Sequence, residues 1–492
     1  MGRAARARPG ARSLRRAGRA HLAGSRAGLV RSGAERRSFG RPGCVPRLAE
    51  ETRPRSMTLL EQLGAHVARG GAATVREALR LHVADTVGAW IAGSATPEGR
   101  ALAKFCANRD SMPDRVATHC ALARLSEIDD IHLASGVTPG ALVVPAALTI
   151  SASLGREGTA LAEAIAIGYD AMVRLGAALG GPSILYRGIW PTYLAAPFGI
   201  AAVAARLLGL TETQAAHALG ISLALSSPAV AHPGGATTSR WLAIGNAARN
   251  GVTAALSAQS GFTGDLRIFE GEFFSSIYGL SPNPVLLLDE SPTLSEVSFK
   301  PWCAARQTMA ATQALKEIIE SGASPSEMSE LVVSVPPPYL RMIDHGVVPR
   351  DRASHLTSVS YQMAMAALAP EATLDVGQAP DQIAVGIQTF MAKISVKADE
   401  ELLRHYPKSW PARLVVSLPS GKSERLVLHV PGDPERPFDE LQVAEKFRRL
   451  TAPLVGERAG HDLLRLSLGV LDNKGAPKIL LAEIERAAAA PR

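Results

Sequence analysis

The sequence predicts a mostly α fold: a large all-helical domain completed by its own C-terminal segment, plus a smaller α+β domain with an antiparallel sheet. Three observations lead there. From Met57 to about residue 291, alanine-rich stretches repeat apolar residues at helical spacing, several behind explicit start signals. After Pro292 the texture turns to short β-branched runs. From Phe438 onward the helical period returns. The chain therefore divides into 1–56, 57–291, 292–434 and 435–488.

The first 56 residues hold 15 Arg, no Lys and three Glu, a net charge of +12 against +8 for the whole chain. The body is then near −4, which argues against a nucleic-acid-binding core. That Arg-rich head has no apolar period able to bury anything and is expected to be disordered. A solvated tail, an organelle transit peptide and upstream sequence read through from a misplaced start all fit its composition. The last fits best, because orderly helical sequence begins directly after Met57.

Within 57–291, Thr74-Val-Arg-Glu77 forms a capping box ahead of Ala78, Leu81, Ala84, Val87 and Ile91, and Thr211-Glu-Thr-Gln214 forms another. Further helices are expected at 142–154, 159–180, 194–208 and 240–260. Between 292 and 434 the runs 331–335, 386–397, 414–418 and 426–430 read as strands, the last two joined at Pro419-Ser-Gly-Lys. Helices near 303–321 and 358–368 would cover one face of that sheet. The C-terminal helices would pack back on the first domain.

Cys44, Cys106, Cys120 and Cys303 lack CxxC spacing, so no disulfide framework, zinc knuckle or iron–sulfur site is indicated, and a reducing cytoplasm is the natural compartment. The most apolar run, 193–210, is interrupted by Pro197 and Arg206, so no membrane span is expected.

The chemistry concentrates at residues 299–318. The chain carries 43 Arg and 10 Lys, and Lys300 is the single lysine between Lys104 and Lys316. A lone amine in an arginine-leaning chain suits a compact cation whose protonation can be tuned. Arg306 and Gln307 follow in the first turns of an apolar helix, where N–H groups and the positive dipole end gather, an arrangement suited to a carboxylate or phosphate. A buried helix with two incidental charges accounts for the spacing equally well.

A second cluster is Glu127-Ile-Asp129-Asp130-Ile-His132. At i, i+3 in a helical or turn-like stretch, Asp129 would orient the imidazole for proton transfer. The same groups could instead ligate a divalent metal or simply form a polar capped turn. Weaker candidates are Trp190 with Thr192 and Tyr193 beside a helix start, Arg240 for a bidentate carboxylate, and Ser358 with Tyr361, whose buried hydroxyl needs a partner.

Taken in order, several segments resemble the MmgE/PrpD family: VADTVGAWIAG at 83–93, IDDIH with PGA at 128–141, RLLGLT at 206–211, IGNAARNGVTAALSAQSGFTGD at 244–265, the lysine-led FKPWCAARQTMAATQA block, and SVSYQMAMA at 358–366. The likeness runs from about Met57 to Leu481. It implies a metal-independent, cofactor-free lyase or isomerase of the dehydratase, decarboxylase or epimerase type. It also implies a homodimer acting on a small carboxylic acid in an inter-domain cleft, with neither nucleic acid nor membrane as partner.

The resemblance places Lys300, Arg240 and Tyr361 at pocket positions and matches Asp129 and Asp130 to paired aspartates. Catalysis would fall to Lys300, Tyr361, Asp129, Asp130 and His132, with binding by Arg240, Arg306, Gln307, Thr138, Trp190 and Ser358. The chain departs from the family where many members carry histidine: Thr138, Trp190, Ala305 and Met309. These departures imply either an altered substrate or a catalytically silent carboxylate-binding protein.

Overall fold

The computed structural model describes residues 56–70, 75–229 and 237–489. The head, up to residue 55, and Thr74 of the expected capping box lie outside the described residues.

Helices begin where the side chains allow it. Thr58 and Glu61 cap each other's backbone to open Leu59–Arg69, and Thr211 with Gln214 does the same for Glu212–Ala224. Pro191 stands at the first position of Pro191–Leu208, where its missing N–H costs nothing. Thr159–Ala178, Pro191–Leu208 and Ser239–Gln259 pack in succession around a large apolar cluster. Glycine permits the approach: a Cβ on Gly168 would stand 2.5 Å from Val203, and one on Gly251 would stand 2.6 Å from the Pro197 carbonyl. Phe198 is 1% exposed in this core, and truncating such a ring to alanine costs about 3–5 kcal/mol. Pro191–Leu208 is long and apolar enough to cross a membrane by length and composition, yet 89% of it is buried among these helices.

The second large cluster lies under a four-stranded sheet. Two short strands, β1 (Ile131–His132) and β2 (Val297–Ser298), pair separately and antiparallel. The sheet consists of β3 (Glu330–Val335), β4 (Ile394–Ala398), β5 (Ala412–Leu418) and β6 (Gly421–Val427), in the order β4-β3-β5-β6. Its β3–β5 and β5–β6 pairs are antiparallel and β3–β4 is parallel, so the sheet is mixed. Ala412, Leu414 and Val416 alternate inward from β5, toward the helix Arg306–Glu320.

The run 386–397, expected to be a strand, is a correction: its first half is the helix Val385–Met391. The buried Ile387 and Phe390, three apart, fit helical rather than alternating spacing. The hairpin turn is the two residues between Leu418 and Gly421, so β6 starts earlier than the expected 426.

Glu440–Val455 and Glu457–Leu468 pack on Arg76–Ser94, and Ala476–Ala489 packs on Gly140–Leu154, returning the C-terminus to the helical part. For function, the small β1–β2 pair matters most. It brings the acidic stretch 127–132 beside the segment that carries Lys300.

Candidate functional site: a cationic pocket at the end of a helix

The helix Met112–Leu125 ends in a turn that exposes successive backbone carbonyls. Four side chains from distant sequence grip them. Arg352 Nη2 donates to the Leu125 carbonyl at 2.7 Å, Cys303 Sγ to Ser126 at 3.1 Å, Lys300 Nζ to Glu127 at 3.0 Å, and Lys446 Nζ to Ile128 at 2.9 Å. A helix C-terminus carries partial negative charge, so three cations here satisfy both the orphan carbonyls and the dipole.

Within that turn Glu127 adopts φ 55°, a left-handed conformation uncommon outside glycine. Its carboxylate contacts Arg124 at 2.8 Å and lies 3.9 Å from Arg240. Burial pushes the Glu127 carboxyl up, but Arg124, Lys300 and Arg240 overcome it and hold the group down at about 2. Asp129 goes the other way. Its complete burial raises its pKa, Arg124 and Lys300 offset this only in part, and the Glu127 and Asp130 charges add to the rise. Asp129 Oδ1 lies 3.2 Å from Arg124 and 3.6 Å from Lys300. Its Oδ2 has no hydrogen-bond partner among the described residues.

Glu127, Arg124, Arg240 and Lys300 border a cavity of about 70 Å³. One water needs roughly 10–15 Å³, so the space suits several waters or a short organic molecule. Arg124, Arg240, Lys300 and Arg306 stand on its wall with Glu127 as the carboxylate among them. Arg306 is 2% exposed and donates from Nη2 to Asp433 at 2.7 Å, while its Nε and Nη1 have no hydrogen-bond partner among the described residues. Arg240 is packed between two indoles, its guanidinium 5.1 Å from the Trp190 ring and 4.8 Å from the Trp241 ring. Such stacking fixes the direction of its donors.

Of the residues singled out from sequence, Lys300, Arg240, Arg306, Gln307, Thr138, Trp190 and Thr192 line this cavity. Asp129 lies directly behind Lys300. Asp130 does not face the cavity wall: it accepts from Tyr169 Oη at 2.7 Å and the Gly140 N–H at 2.7 Å, and meets His82 Nδ1 at 2.9 Å. His132 lies on β1, an extended stretch rather than a helix or turn shared with Asp129, and its ring nitrogens meet Ser135 and Glu296. Ser358 caps Val359–Leu368, accepting the Tyr361 N–H. Tyr361 is buried against His355, and burial pushes its hydroxyl up to about 12. Neither of the last two is on the wall.

Thr192 accepts the Thr138 N–H instead of capping its own helix. Arg124 went unselected from the sequence, and Glu127 was noted only as the start of the acidic cluster, without a role of its own. Their opposite charges three residues apart, just ahead of Asp129, were the available signal. Of the positions that depart from histidine, Thr138, Trp190 and Ala305 line the cavity, whereas Met309 is buried beneath the sheet. Among the described residues, no group of three or more His, Cys, Asp or Glu is arranged to hold a metal ion.

Two family descriptions match in order: the MmgE/PrpD N-terminal domain over residues 65–279 and the MmgE/PrpD C-terminal domain over residues 302–468. The chain belongs to the MmgE/PrpD family. Among curated relatives, this MmgE/PrpD protein is similar to cis-aconitate decarboxylase from Aspergillus terreus and to the same-named protein of Aspergillus terreus strain NIH 2624 / FGSC A1156. Each is 30% identical over 152 residues, which is 30% of this chain and 30% of the relative. Lys300 falls between the two matched family domains, two residues ahead of the second.

Proposed function

We propose that this protein binds a small carboxylic acid in the Lys300 pocket and acts on it as a lyase or isomerase of the dehydratase, decarboxylase or epimerase type. One observation carries the reading: four buried cations border a single small cavity, and three of them, Arg124, Arg240 and Arg306, keep guanidinium nitrogens without hydrogen-bond partners among the described residues. Buried donors of that kind favour an anionic ligand. Family membership and the similarity to cis-aconitate decarboxylase support the reaction class.

Reactions of this class build negative charge on a carbon beside a carboxylate. Lys300 would stabilise that charge and exchange a proton with the reacting carbon, with Asp129 at 3.6 Å as its relay. Arg306 and Arg240 would hold substrate carboxylates. The cavity's size favours a short acid. A cytoplasmic homodimer belongs to this proposal on the family resemblance, and sedimentation of the purified chain tests the assembly.

A screen of di- and tricarboxylates by thermal shift, followed by NMR analysis of incubated mixtures, tests the reaction. Conversion of at least one acid by the wild type, lost in Lys300→Ala, is the expected result. The second reading, a silent carboxylate-binding protein, draws on the absence of any histidine from the described cavity wall. Acids that raise the melting temperature but emerge unchanged would favour it.

A further inference from the structure

Lys446 does not line the cavity, yet it donates to the backbone of the turn that carries Glu127 onto its wall. Its helix, Glu440–Val455, packs on Arg76–Ser94, and from there Nζ reaches Asp85 Oδ1 at 2.6 Å and the Ile128 carbonyl at 2.9 Å. Both charged side chains are nearly inaccessible, at 4% and 1%. Ile128 is flanked by the two carboxylates that matter: Glu127 on the cavity wall and Asp129 behind Lys300.

The turn needs such a grip. Glu127 is held at positive φ, a conformation that persists only where its surroundings over-determine it. The carbonyl on one side of the Glu127–Ile128 peptide is anchored by Lys300, and the next by Lys446. Two lysines thus hold consecutive carbonyls, Lys300 from the cavity wall and Lys446 from a helix that does not line the cavity. Without Lys446 the Ile128 carbonyl would lose its donor, and the turn between Glu127 and Asp129 would keep only the Lys300 anchor.

We propose that Lys446, paired with Asp85, is a positioning residue of the pocket: it locks the Glu127–Asp129 turn in register with Lys300, so that the helix Glu440–Val455 is a working part of the site. Calling this a positioning role rests on the carboxylic-acid reading of the pocket. The lock itself does not.

Amide hydrogen exchange across residues 124–131 of the full chain tests the lock, comparing wild type, Lys446→Arg and the double variant Asp85→Asn/Lys446→Met. The double variant removes both charges together and so avoids stranding a buried carboxylate. Exchange at 126–130 should rise by about tenfold or more in the double variant while Pro191–Leu208 and Ser239–Gln259 keep wild-type protection. Lys446→Arg, which retains a cationic donor, should restore protection.

Unchanged exchange at 126–130 in the double variant overturns the proposal. So does faster exchange throughout the helical core, since the pair would then support the whole fold rather than the turn. Titration with citrate as the probe anion supplies the site readout: affinity about tenfold weaker in the double variant, recovered in Lys446→Arg. Loss of the lock with citrate affinity unchanged would also overturn the positioning role. If no acid is converted by the wild type but exchange and citrate binding behave as stated, the reaction proposed above falls and the positioning role stands.

Discussion

Lys300 and Asp129 face each other across 3.6 Å with both side chains buried, although 171 positions separate them in the sequence. The β1–β2 pair closes that distance, and the Glu127 carbonyl holds the amine in place. If this pair moves protons, Lys300→Ala should lower turnover of a converted acid by about 10²–10⁴, the usual contribution of a positioned acid or base. Circular dichroism and melting should show a folded protein. Turnover within a few-fold of wild type in a folded variant would remove Lys300 from the chemistry.

Arg306 is oriented from behind by Asp433, whose Oδ2 also accepts the Val430 N–H at 2.8 Å. The Arg306 Nε and Nη1 have no hydrogen-bond partner among the described residues and are the donors that the proposed function assigns to a carboxylate. Arg306→Lys keeps the charge but loses the fork, and a bidentate site does not tolerate that exchange. Calorimetric titration with citrate should show affinity weaker by about tenfold or more. Equal affinities would mean that Arg306 serves the fold through Asp433 alone.

Acid stability should report Glu127. Its carboxyl is held at about 2 in the folded chain against an ordinary 4.5, so the unfolded chain binds the proton more readily. The stabilisation is fully present above about pH 4.5 and is lost as pH falls toward 2. Asp129, whose pKa is raised, acts oppositely: its contribution is present below its unfolded pKa and fades as pH rises through the folded one. Denaturant midpoints measured at pH 5 and pH 3 should therefore converge in Glu127→Gln relative to wild type. An unchanged difference between the two pH values would show that Glu127 is not held as a buried anion.

Much of this was legible in the residues, for identifiable reasons. Helices with caps or long apolar periods, such as Glu212–Ala224, Pro191–Leu208 and Ser239–Gln259, announce themselves locally. Lys300 stood out by composition, and its neighbours Arg306 and Gln307 by their place at a helix start. The stretch 386–397 was misread because a short apolar run carries both periods, and tertiary packing chose the helix for Val385–Met391. The carbonyl grips on 125–128 were not legible at all, since backbone acceptors carry no residue identity and their donors come from positions 300, 303, 352 and 446. One-dimensional spacing put His132 and Asp130 in one cluster but carries no sign of their separate partners, Ser135 and Glu296 for the first, Tyr169, Gly140 and His82 for the second.

Asp130 can be tested directly. It accepts from Tyr169 and Gly140 and meets His82, a network placed entirely within the helical part. A hydrogen bond to a charged group is worth about 1.5–3 kcal/mol, so Tyr169→Phe should lower unfolding free energy by an amount of that order. Because Tyr169 is not on the cavity wall, citrate affinity should stay within about twofold of wild type, well under the 1.4 kcal/mol that a tenfold change represents. Lys300→Ala should show the reverse, with binding or turnover hit harder than stability. A Tyr169→Phe protein as stable as wild type but weakened in citrate binding would instead make Asp130 part of the binding site, reached through the Gly140 turn that it anchors.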